Sequence, residues 1–368
     1  MTAAPDDKIV EALAKTGFVL EHEVVTALQR GGWLTINGSY YIDDVSEQAR
    51  ELDIIAYKIA RHDDIDVLTC GLISCKKDAS YTAAFLSRKR PRRDPNADWE
   101  PLHQVSRVEP MRAHLSSSDW KKRYFSSAKR RVKRILVADR DIFAFQMVCK
   151  EGKPHNDKPY YESVTGLLKA LDHEINKRQD SKAPARKRLY QFSLHTVIDA
   201  PMVDVQFQDE EQKVRPVDEI TGFSRFMVRK KDTAASIHFT SQVSLPRWIA
   251  DLDALHRHNS QFFSEEVDRS FKAILTSKEV RKHFEDRLDF WLTYKINRAI
   301  TRLKLGKKIE KIHLDVESET LLIEIDKDSG IDDLNADAEL KREVSDALIE
   351  RARYSGPFRI AEYADIPF

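Results

Sequence analysis

The chain has 368 residues, of which 41% are hydrophobic and 33% are charged, and its formal net charge is +1. This length and composition are typical of a globular protein with one large or two medium domains. No apolar run reaches the roughly 18 residues of a membrane span, and the first residues lack the basic and apolar regions of a secretory signal. Three cysteines are too few for a disulfide framework. We therefore expect a cytoplasmic protein that does not enter a membrane.

The first part of the chain is predicted to form two helices and then three strands. Apolar residues at helical spacing predict helices at Asp6–Lys15 and Val19–Arg30, the second ended by a Gly-Gly pair. Short runs of branched residues predict strands at Leu34–Ile42, Leu52–Ile59 and Val67–Cys75. We then place a basic insertion at about 86–158. Its stretch Arg88–Ser118 is rich in Pro, Arg and Ser and predicts irregular structure.

The remaining elements are predicted to complete a core domain and to add a charged C-terminal region. A helix is expected at Tyr161–Lys177, and Leu189–Phe207 predicts one strand or two strands joined near Pro201. The other predicted elements are strands at Ser224–Val228 and Ile237–Phe239, a helix at Pro246–His256, a charged helical region from Ser264 to Lys304, a strand segment at Ile312–Ile325 that turns near Ser318, and a final helix at Asp337–Arg353. A boundary near Gln261–Ser264 gives a core domain at 1–262 and a mainly helical region at 263–368.

The small net charge hides segregated basic clusters. They comprise Arg88, Lys89, Arg90, Arg92 and Arg93; then Lys121, Lys122, Arg123, Lys129, Arg130, Arg131, Lys133 and Arg134; then Lys182, Arg186, Lys187 and Arg188. Such clusters are expected where a protein contacts a phosphate backbone, and solvated loops are the other interpretation. Three aromatic residues, Trp120, Tyr124 and Phe125, alternate with the second cluster. They predict either a nucleic-acid surface or packing of the insertion.

Three polar features occur in a fixed order along the predicted helix and strands. Glu21 lies at the start of the second helix, Asp53 lies inside an apolar strand, and Lys76 follows Ser74 and Cys75 at the end of another strand. A carboxylate inside an apolar strand is costly to bury unless it is paired or bound to a metal. Side chains two apart on a strand face the same side. Asp53 is therefore the member that a structural role explains least well.

This order resembles the PD-(D/E)XK nuclease superfamily, particularly its Holliday-junction-resolvase-like and Mrr-like branches. The resemblance covers residues 17 to 80 and extends more weakly to about 207. It implies an α/β fold with a restriction-endonuclease-like core, in which a mixed central sheet lies between helices. It also implies a phosphodiesterase site that uses Mg²⁺ or Mn²⁺. On this mapping Glu21, Asp53 and Lys76 are the catalytic residues, and the carbonyl of Cys75 lies beside the metal with Asp53.

The sequence departs from the family at Ser74, where the family has an acidic residue. A neutral serine is a poor ligand for Mg²⁺, which prefers carboxylate oxygens and water. In some restriction enzymes of the superfamily a neighbouring helix supplies the missing acid. Glu162 is the first candidate here and Glu174 the second. The other interpretation is a site that has lost or weakened catalysis.

Two functions follow from these features. The first is a DNA-binding protein in restriction, repair or defence, acting either as a Mg²⁺-dependent endonuclease with a displaced acid or as a catalytically impaired relative. The second is an inert nuclease-like scaffold or regulatory subunit that binds a partner protein through its charged C-terminal region. Ser74 favours the second function, whereas the ordered Glu21, Asp53 and Lys76 favour the first.

Overall fold

The computed structural model describes residues 6–14, 16–43, 47–62, 65–78, 80–91, 98–116, 119–180, 186–208, 211–327 and 329–363. Within these ranges, every helix is too short or too polar to cross a membrane. The chain forms two compact units. The first unit consists of Met1–Arg107 and Lys121–Phe262, and the second consists of Val108–Trp120 and Phe263–Phe368.

The protein is an α/β protein with a large mixed sheet. Its strands are β1 (Leu34–Ile42), β2 (Ala49–His62), β3 (Ile65–Lys77), β4 (Tyr81–Lys89), β5 (His103–Ser106), β6 (Arg140–Cys149), β7 (Pro154–His155), β8 (Lys187–Asp199), β9 (Met202–Gln208), β10 (Glu211–Pro216), β11 (Glu219–Val228), β12 (Lys231–Ser241), β13 (Ile312–Glu317), β14 (Thr320–Ile325) and β15 (Phe358–Glu362). Its helices are α1 (Asp6–Ala14), α2 (Gly17–Arg30), α3 (Glu109–Ser116), α4 (Asp119–Ser127), α5 (Arg130–Leu136), α6 (Lys158–Asp180), α7 (Leu245–Lys272), α8 (Lys278–Leu303), α9 (Ile331–Ala336) and α10 (Ala338–Ala352).

The sheet of the first unit has the strand order β1-β2-β3-β8-β12-β11-β6-β4-β9-β10, with β5 paired to β8 and β7 paired to β6. β2 is antiparallel to both β1 and β3, whereas β3 and β8 are parallel along their whole length. β3 is buried from Ile65 through Cys75 because strands flank it on both sides. This central position fixes the direction in which Ser74 and Lys76 leave the sheet.

Helix α6 packs on the strands that carry the predicted site residues. Its apolar stripe, which includes Val164, Leu167, Leu168 and Leu171, is buried in one core cluster with residues of β2, β3 and β8. Helix α2 buries Leu20, Val24, Val25 and Leu28 and ends at Gly31 and Gly32, where Gly32 has a φ of 76°. The predicted helices and the three predicted strands of this region are therefore confirmed.

The second unit contains helices and a small sheet in the order β13-β14-β15. Helix α8 begins at Ser277, whose side chain accepts a hydrogen bond from Val280 N, and it buries an apolar stripe that includes Phe284 and Leu288. The hairpin β13–β14 turns at Ser318 and Glu319, both with positive φ. Segment Val108–Trp120 belongs to this unit through contacts such as Trp120 with Phe263 and His114 Nε2 with Glu266 Oε2 at 2.7 Å.

Two predictions about the elements are wrong in part. Residues Arg88–Ser118 are not irregular throughout, because the chain there completes β4 and forms β5 and α3. The predicted helical region from Ser264 to Lys304 is interrupted by a 3₁₀ turn at Ala273–Leu275 before α8 begins. The segment Leu189–Phe207 forms two strands, β8 and β9, on either side of Pro201, as one of the two interpretations predicted.

Candidate functional site

A pocket of about 460 Å³ opens in the first unit beside β2, β3 and the first turns of α6. Its lining includes Asp53 from β2, Ser74 and Lys76 from β3, and Glu162 from α6. Four of the residues identified in the sequence are therefore gathered at one place. The gathering follows from the antiparallel pairing of β2 and β3, which sets Ile54 opposite Ile73 and brings Asp53 beside Ser74.

Asp53 is held at the pocket by two hydrogen bonds to one of its carboxylate oxygens. The backbone N–H of Cys75 donates to Asp53 Oδ2 at 2.6 Å, and the Ser74 hydroxyl donates to the same oxygen at 3.2 Å. Its neighbours on the strand, Leu52 and Ile54, are buried and fix the backbone. Oδ1 accepts no hydrogen bond from the residues that the structure describes. One oxygen of the carboxylate is thus held by the protein, and the other remains available to a ligand.

Lys76 and Lys77 are adjacent but have different surroundings. Lys77 Nζ forms an ion pair with Asp199 Oδ2 at 2.8 Å. Lys76 lines the pocket and has no carboxylate of the described residues within ion-pair distance. Because alternate residues of a strand face the same side, Lys76 and Ser74 both point toward the pocket. Lys76 is therefore a cation available to an anionic ligand there.

Glu21 is electrostatically coupled to the pocket without lining it. Burial raises the pKa of Glu21 above its usual value, the negative charges of Asp53 and Glu51 raise it further, and Lys76 opposes them. Glu51, which the sequence reasoning did not single out, lines the pocket with Asp53. Glu51 could have been recognised from the sequence, because it lies two residues before Asp53 on the same strand and so faces the same side. The site thus combines three interacting carboxylates with one lysine.

The two candidates for a displaced acid have different roles in the structure. Glu162 lines the pocket, its side chain is 60% exposed, and its ion pair with Lys158 Nζ spans 3.5 Å. Glu174 lies further along α6, is only 3% exposed, and is held in an ion pair with Arg178. Glu174 is not among the residues that line the pocket. The structure therefore places Glu162, and not Glu174, at the pocket, and the displaced acid at Glu162 stays a prediction.

Cys75 contributes its backbone to the site and not its thiol. Burial, followed by the charges of Asp53 and Glu21, raises the pKa of the Cys75 thiol well above its usual value. The thiol therefore stays protonated at neutral pH and is a poor metal ligand. Its N–H instead holds Asp53. The predicted metal contact through the Cys75 carbonyl stays a prediction.

The carboxylates of the pocket could hold a divalent cation only if water or substrate oxygens supplied most of its ligands. No group of three His, Cys, Asp or Glu side chains is placed to hold a metal among the described residues. Mg²⁺, however, is often held by one or two carboxylates and keeps several waters until substrate oxygens replace them. Asp53, with Oδ1 available, and the exposed Glu162 fit that incomplete mode.

The rest of the pocket mixes fixed and available charges. Lys169 Nζ pairs with Asp43 Oδ2 at 2.7 Å at one side, and Arg50 contributes a further cation. The hydroxyls of Ser163 and Thr196 are hydrogen bonded to each other at 3.0 Å. Thr196 of β8 lies opposite Ser74 of β3 in the sheet. Ser163, Lys169 and Thr196 could not be recognised from local spacing, since α6 and β8 lie far from Asp53 along the chain.

Two of the three aromatic residues in the second basic cluster, Trp120 and Tyr124, are buried and therefore do not form a nucleic-acid surface. Phe125 is half-buried, and for it both interpretations stay predictions. Trp120 packs against Phe263, and the Tyr124 hydroxyl donates to Asn259 Oδ1 at 2.5 Å. The packing interpretation of these residues is therefore confirmed for both.

Part of the basic clusters remains exposed to a ligand. Lys129, Arg130 and Lys133 are exposed on and beside α5, and none has an ion pair with a described residue. Arg92, Arg93 and Lys182 lie outside the described residues.

Comparisons with protein-family models, curated proteins and solved structures find no match to this chain.

Proposed function

We propose that this protein is a DNA-binding protein whose pocket is a metal-dependent phosphodiesterase site of the PD-(D/E)XK type. The observation that carries the proposal is the convergence of Asp53, Ser74, Lys76 and Glu162 on one pocket. These residues come from three elements that are distant in sequence, β2, β3 and α6. A helix, mixed sheet and helix arrangement around them supports a restriction-endonuclease-like core.

Each residue has a chemical role in this proposal. Asp53 and Glu162 would hold Mg²⁺ or Mn²⁺, which when bound offsets phosphate charge and increases the acidity of a coordinated water. Lys76, which has no competing carboxylate partner among the described residues, orients the attacking water or stabilises charge that develops on the phosphate. Glu21 adds a further carboxylate near Asp53, and its pKa is raised first by burial and then by the charge of Asp53.

The charge distribution supports a polyanionic substrate. Lys129, Arg130 and Lys133 are solvent-exposed cations in the same unit as the pocket. Exposed lysines and arginines contact phosphates without reading sequence, so they would supply affinity for DNA that falls as salt concentration rises. The proposed protein–DNA contact is therefore expected to weaken strongly between low and moderate salt.

The test is cleavage of DNA by the purified full-length protein with Mg²⁺ or Mn²⁺. Supercoiled plasmid, linear duplex, single-stranded DNA and RNA are incubated in parallel, with EDTA as the metal-free control. Lys76→Ala is expected to reduce cleavage by about 100-fold or more. Lys77→Ala is the matched control, because Lys77 is paired with Asp199; it should leave the rate within about twofold.

Equal loss of activity in the two lysine variants would contradict the assignment of Lys76. Cleavage that persists in EDTA would contradict the metal dependence. Absence of cleavage together with salt-dependent DNA binding would leave a binding protein built on the same core.

One observation favours a second function, an inert scaffold or regulatory subunit. The Ser74 hydroxyl donates to Asp53 Oδ2, so the protein itself supplies a partner to the carboxylate that a metal would otherwise contact. In the second unit, Phe290 and Tyr294 of α8 are exposed and would offer a partner protein apolar contacts. The two functions predict different affinities for Mn²⁺, which calorimetry measures. If the protein is an inert scaffold, the wild type should bind Mn²⁺ no more tightly than Asp53→Asn does.

A further inference from the structure

A second crevice, separate from the pocket at Asp53, opens in the first unit where the large sheet splits. β6 and β11 are paired only through Gly222 with Arg140 and Phe223 with Asp141, and beyond these residues the strands diverge. The crevice has a volume of about 420 Å³. This size lies within the range of small-molecule sites.

Glu219 presents an unsatisfied carboxylate in this crevice. Its side chain is only 6% exposed, and both carboxylate oxygens are buried without a hydrogen bond from any described residue. Arg247 Nη2 at 3.2 Å and Arg134 Nη1 at 3.8 Å approach Oε2 as ion pairs without hydrogen-bond geometry. A buried carboxylate with no hydrogen bonds is costly, so the site calls for a ligand that donates them.

His238 presents a second acceptor to the same crevice. The Thr221 hydroxyl donates its single hydrogen to Arg134 O at 2.5 Å, so at 2.8 Å from His238 Nδ1 it accepts the Nδ1–H. Burial lowers the pKa of His238 to about 3, and the ring is therefore neutral. Its Nε2 is then an acceptor, and it is buried with no partner in the described part of the chain.

Two guanidinium groups complete the lining on its polar side. Arg140 Nε is 3.8 Å from Asp204 Oδ2, but the Asp204 oxygens already accept hydrogen bonds from Ser87 and Gln206. Arg215, on the exposed strand β10, has no ion pair with any residue that the structure describes. Arginine donates two parallel hydrogen bonds to a phosphate, and these two side chains remain able to do so.

We propose that this crevice binds a guanine nucleotide. The N1–H and 2-amino groups of guanine are adjacent donors that match the two oxygens of one carboxylate, and neither oxygen of Glu219 accepts a hydrogen bond from the described residues. The phosphate would pair with Arg140 and Arg215. Adenine presents an acceptor, N1, at the corresponding edge, so it would face the carboxylate with a repulsive contact. This inference is independent of the function proposed for the pocket at Asp53.

The test is titration of the full-length protein with 5′-GMP in a calorimeter, with 5′-AMP, guanosine and inorganic phosphate as comparators. GMP is expected to bind at least about tenfold more tightly than AMP, since a site built to accept hydrogen bonds rejects a ligand that cannot donate them. Guanosine should bind more weakly than GMP because it lacks the phosphate. Equal affinity for GMP and AMP, or for GMP and phosphate, would overturn the proposal.

Variants separate the two halves of the site. Glu219→Gln keeps the shape but replaces one acceptor oxygen with a donor, and it should weaken GMP binding by about 10- to 100-fold. Arg215→Ala should weaken GMP binding but leave guanosine binding unchanged. Lys213→Ala is the matched control, because Lys213 is exposed on the same strand but does not line the crevice.

Circular dichroism and a thermal unfolding scan verify that each variant is folded before titration. Wild-type affinity for GMP in Glu219→Gln would overturn the proposal, as would absence of GMP binding to the wild-type protein at millimolar concentration. In either case the Glu219 carboxylate would be satisfied by a small rotation of Arg247 and not by a ligand.

Discussion

The two ends of helix α6 lie over the same sheet, but the charged groups near one end lack ion-pair partners and those near the other end have them. At its first turns, Lys76 and one oxygen of Asp53 face a pocket without an ion-pair partner among the described residues. Further along, Arg178 donates to the carboxylate of Glu174 and to the Tyr57 hydroxyl, the latter at 2.8 Å. Arg178 also lies over the rings of Tyr190 and Phe192.

The difference separates stability from function. Charges that are buried with partners hold α6 to the strands, and removal of one partner leaves the other uncompensated. Charges that face a pocket without partners are instead open to a ligand, as is typical of functional sites. The four predictions below test this division, beginning with the change of largest effect.

Asp53→Asn should reduce metal-dependent DNA cleavage by about 1000-fold or more, because it removes the negative charge that would hold the metal. The amide oxygen can still accept the hydrogen bond from Cys75 N, so the free energy of unfolding should change by less than about 1 kcal/mol. Initial cleavage rates and urea unfolding measure the two effects. Loss of folding without a selective loss of activity would contradict the role of Asp53.

Glu174→Gln should lower the free energy of unfolding by about 3 kcal/mol, because it leaves the Arg178 guanidinium mostly buried without its carboxylate. Cleavage per folded molecule should be unchanged. Glu162→Gln is the matched control on the same helix; its side chain is exposed, and its loss should cost less than about 0.5 kcal/mol. If the two variants unfold at the same urea concentration, the proposed division of α6 is wrong.

Ser74→Glu should destabilise the metal-free protein by about 2 kcal/mol, because Ser74 is buried and the new carboxylate would lie beside Asp53. Added Mn²⁺ should restore most of that loss, since binding to the folded state alone is stabilising. Thermal unfolding with and without Mn²⁺ provides the measurement, and Ser74→Gln controls for size. An identical Mn²⁺ response in the two variants would show that a carboxylate at position 74 does not become a metal ligand.

Glu21→Gln should have the smallest effect and should reveal itself in pH dependence. Because the pKa of Glu21 is raised in the folded protein, the folded state binds more protons there than the unfolded state, and wild-type stability declines as pH rises above 4.5 through that raised value. The variant lacks this decline. It should therefore be more stable than wild type at pH 7 by less than about 1 kcal/mol, and the difference should vanish below pH 4.5.

The opposite result at pH 7, a clearly less stable variant, would mean that the Glu21 carboxylate is stabilised by its surroundings. Urea unfolding at a series of pH values gives the comparison, with Glu11→Gln on α1 as an exposed control.

Burial does not separate the strands that the sequence predicted from those that it missed. β3 is buried from Ile65 to Cys75, and its run of branched and apolar residues was recognised. β1 was predicted at Leu34–Ile42 although most of its residues are exposed, whereas β4 and β6, whose burial is mixed, were missed. The β4 sequence also ends in the basic residues that suggested a loop.

The sequence was sufficient to predict four residues of the pocket, Asp53, Ser74, Lys76 and Glu162, but not its other lining residues or the crevice. Asp53, Ser74 and Lys76 lie on neighbouring strands of a short segment, so local pairing brings them together. Glu219, His238 and Arg140 meet only because β11 joins β12 along its length and β6 at two residues. The spacing of residues along the chain does not predict such long-range contacts. The choice between Glu162 and Glu174 likewise required the position of α6 on the sheet.

The discontinuous composition of the second unit has a consequence for synthesis of the protein. Val108, Met111 and Trp120 are buried in a unit whose remaining residues follow Phe263. The ribosome therefore synthesises these three apolar side chains long before residues 263–368, and they stay exposed until the last third of the chain emerges. Release of a chain that stops near residue 262 would leave the segment permanently exposed, so such a truncated protein should require chaperones or aggregate, whereas the complete chain should not.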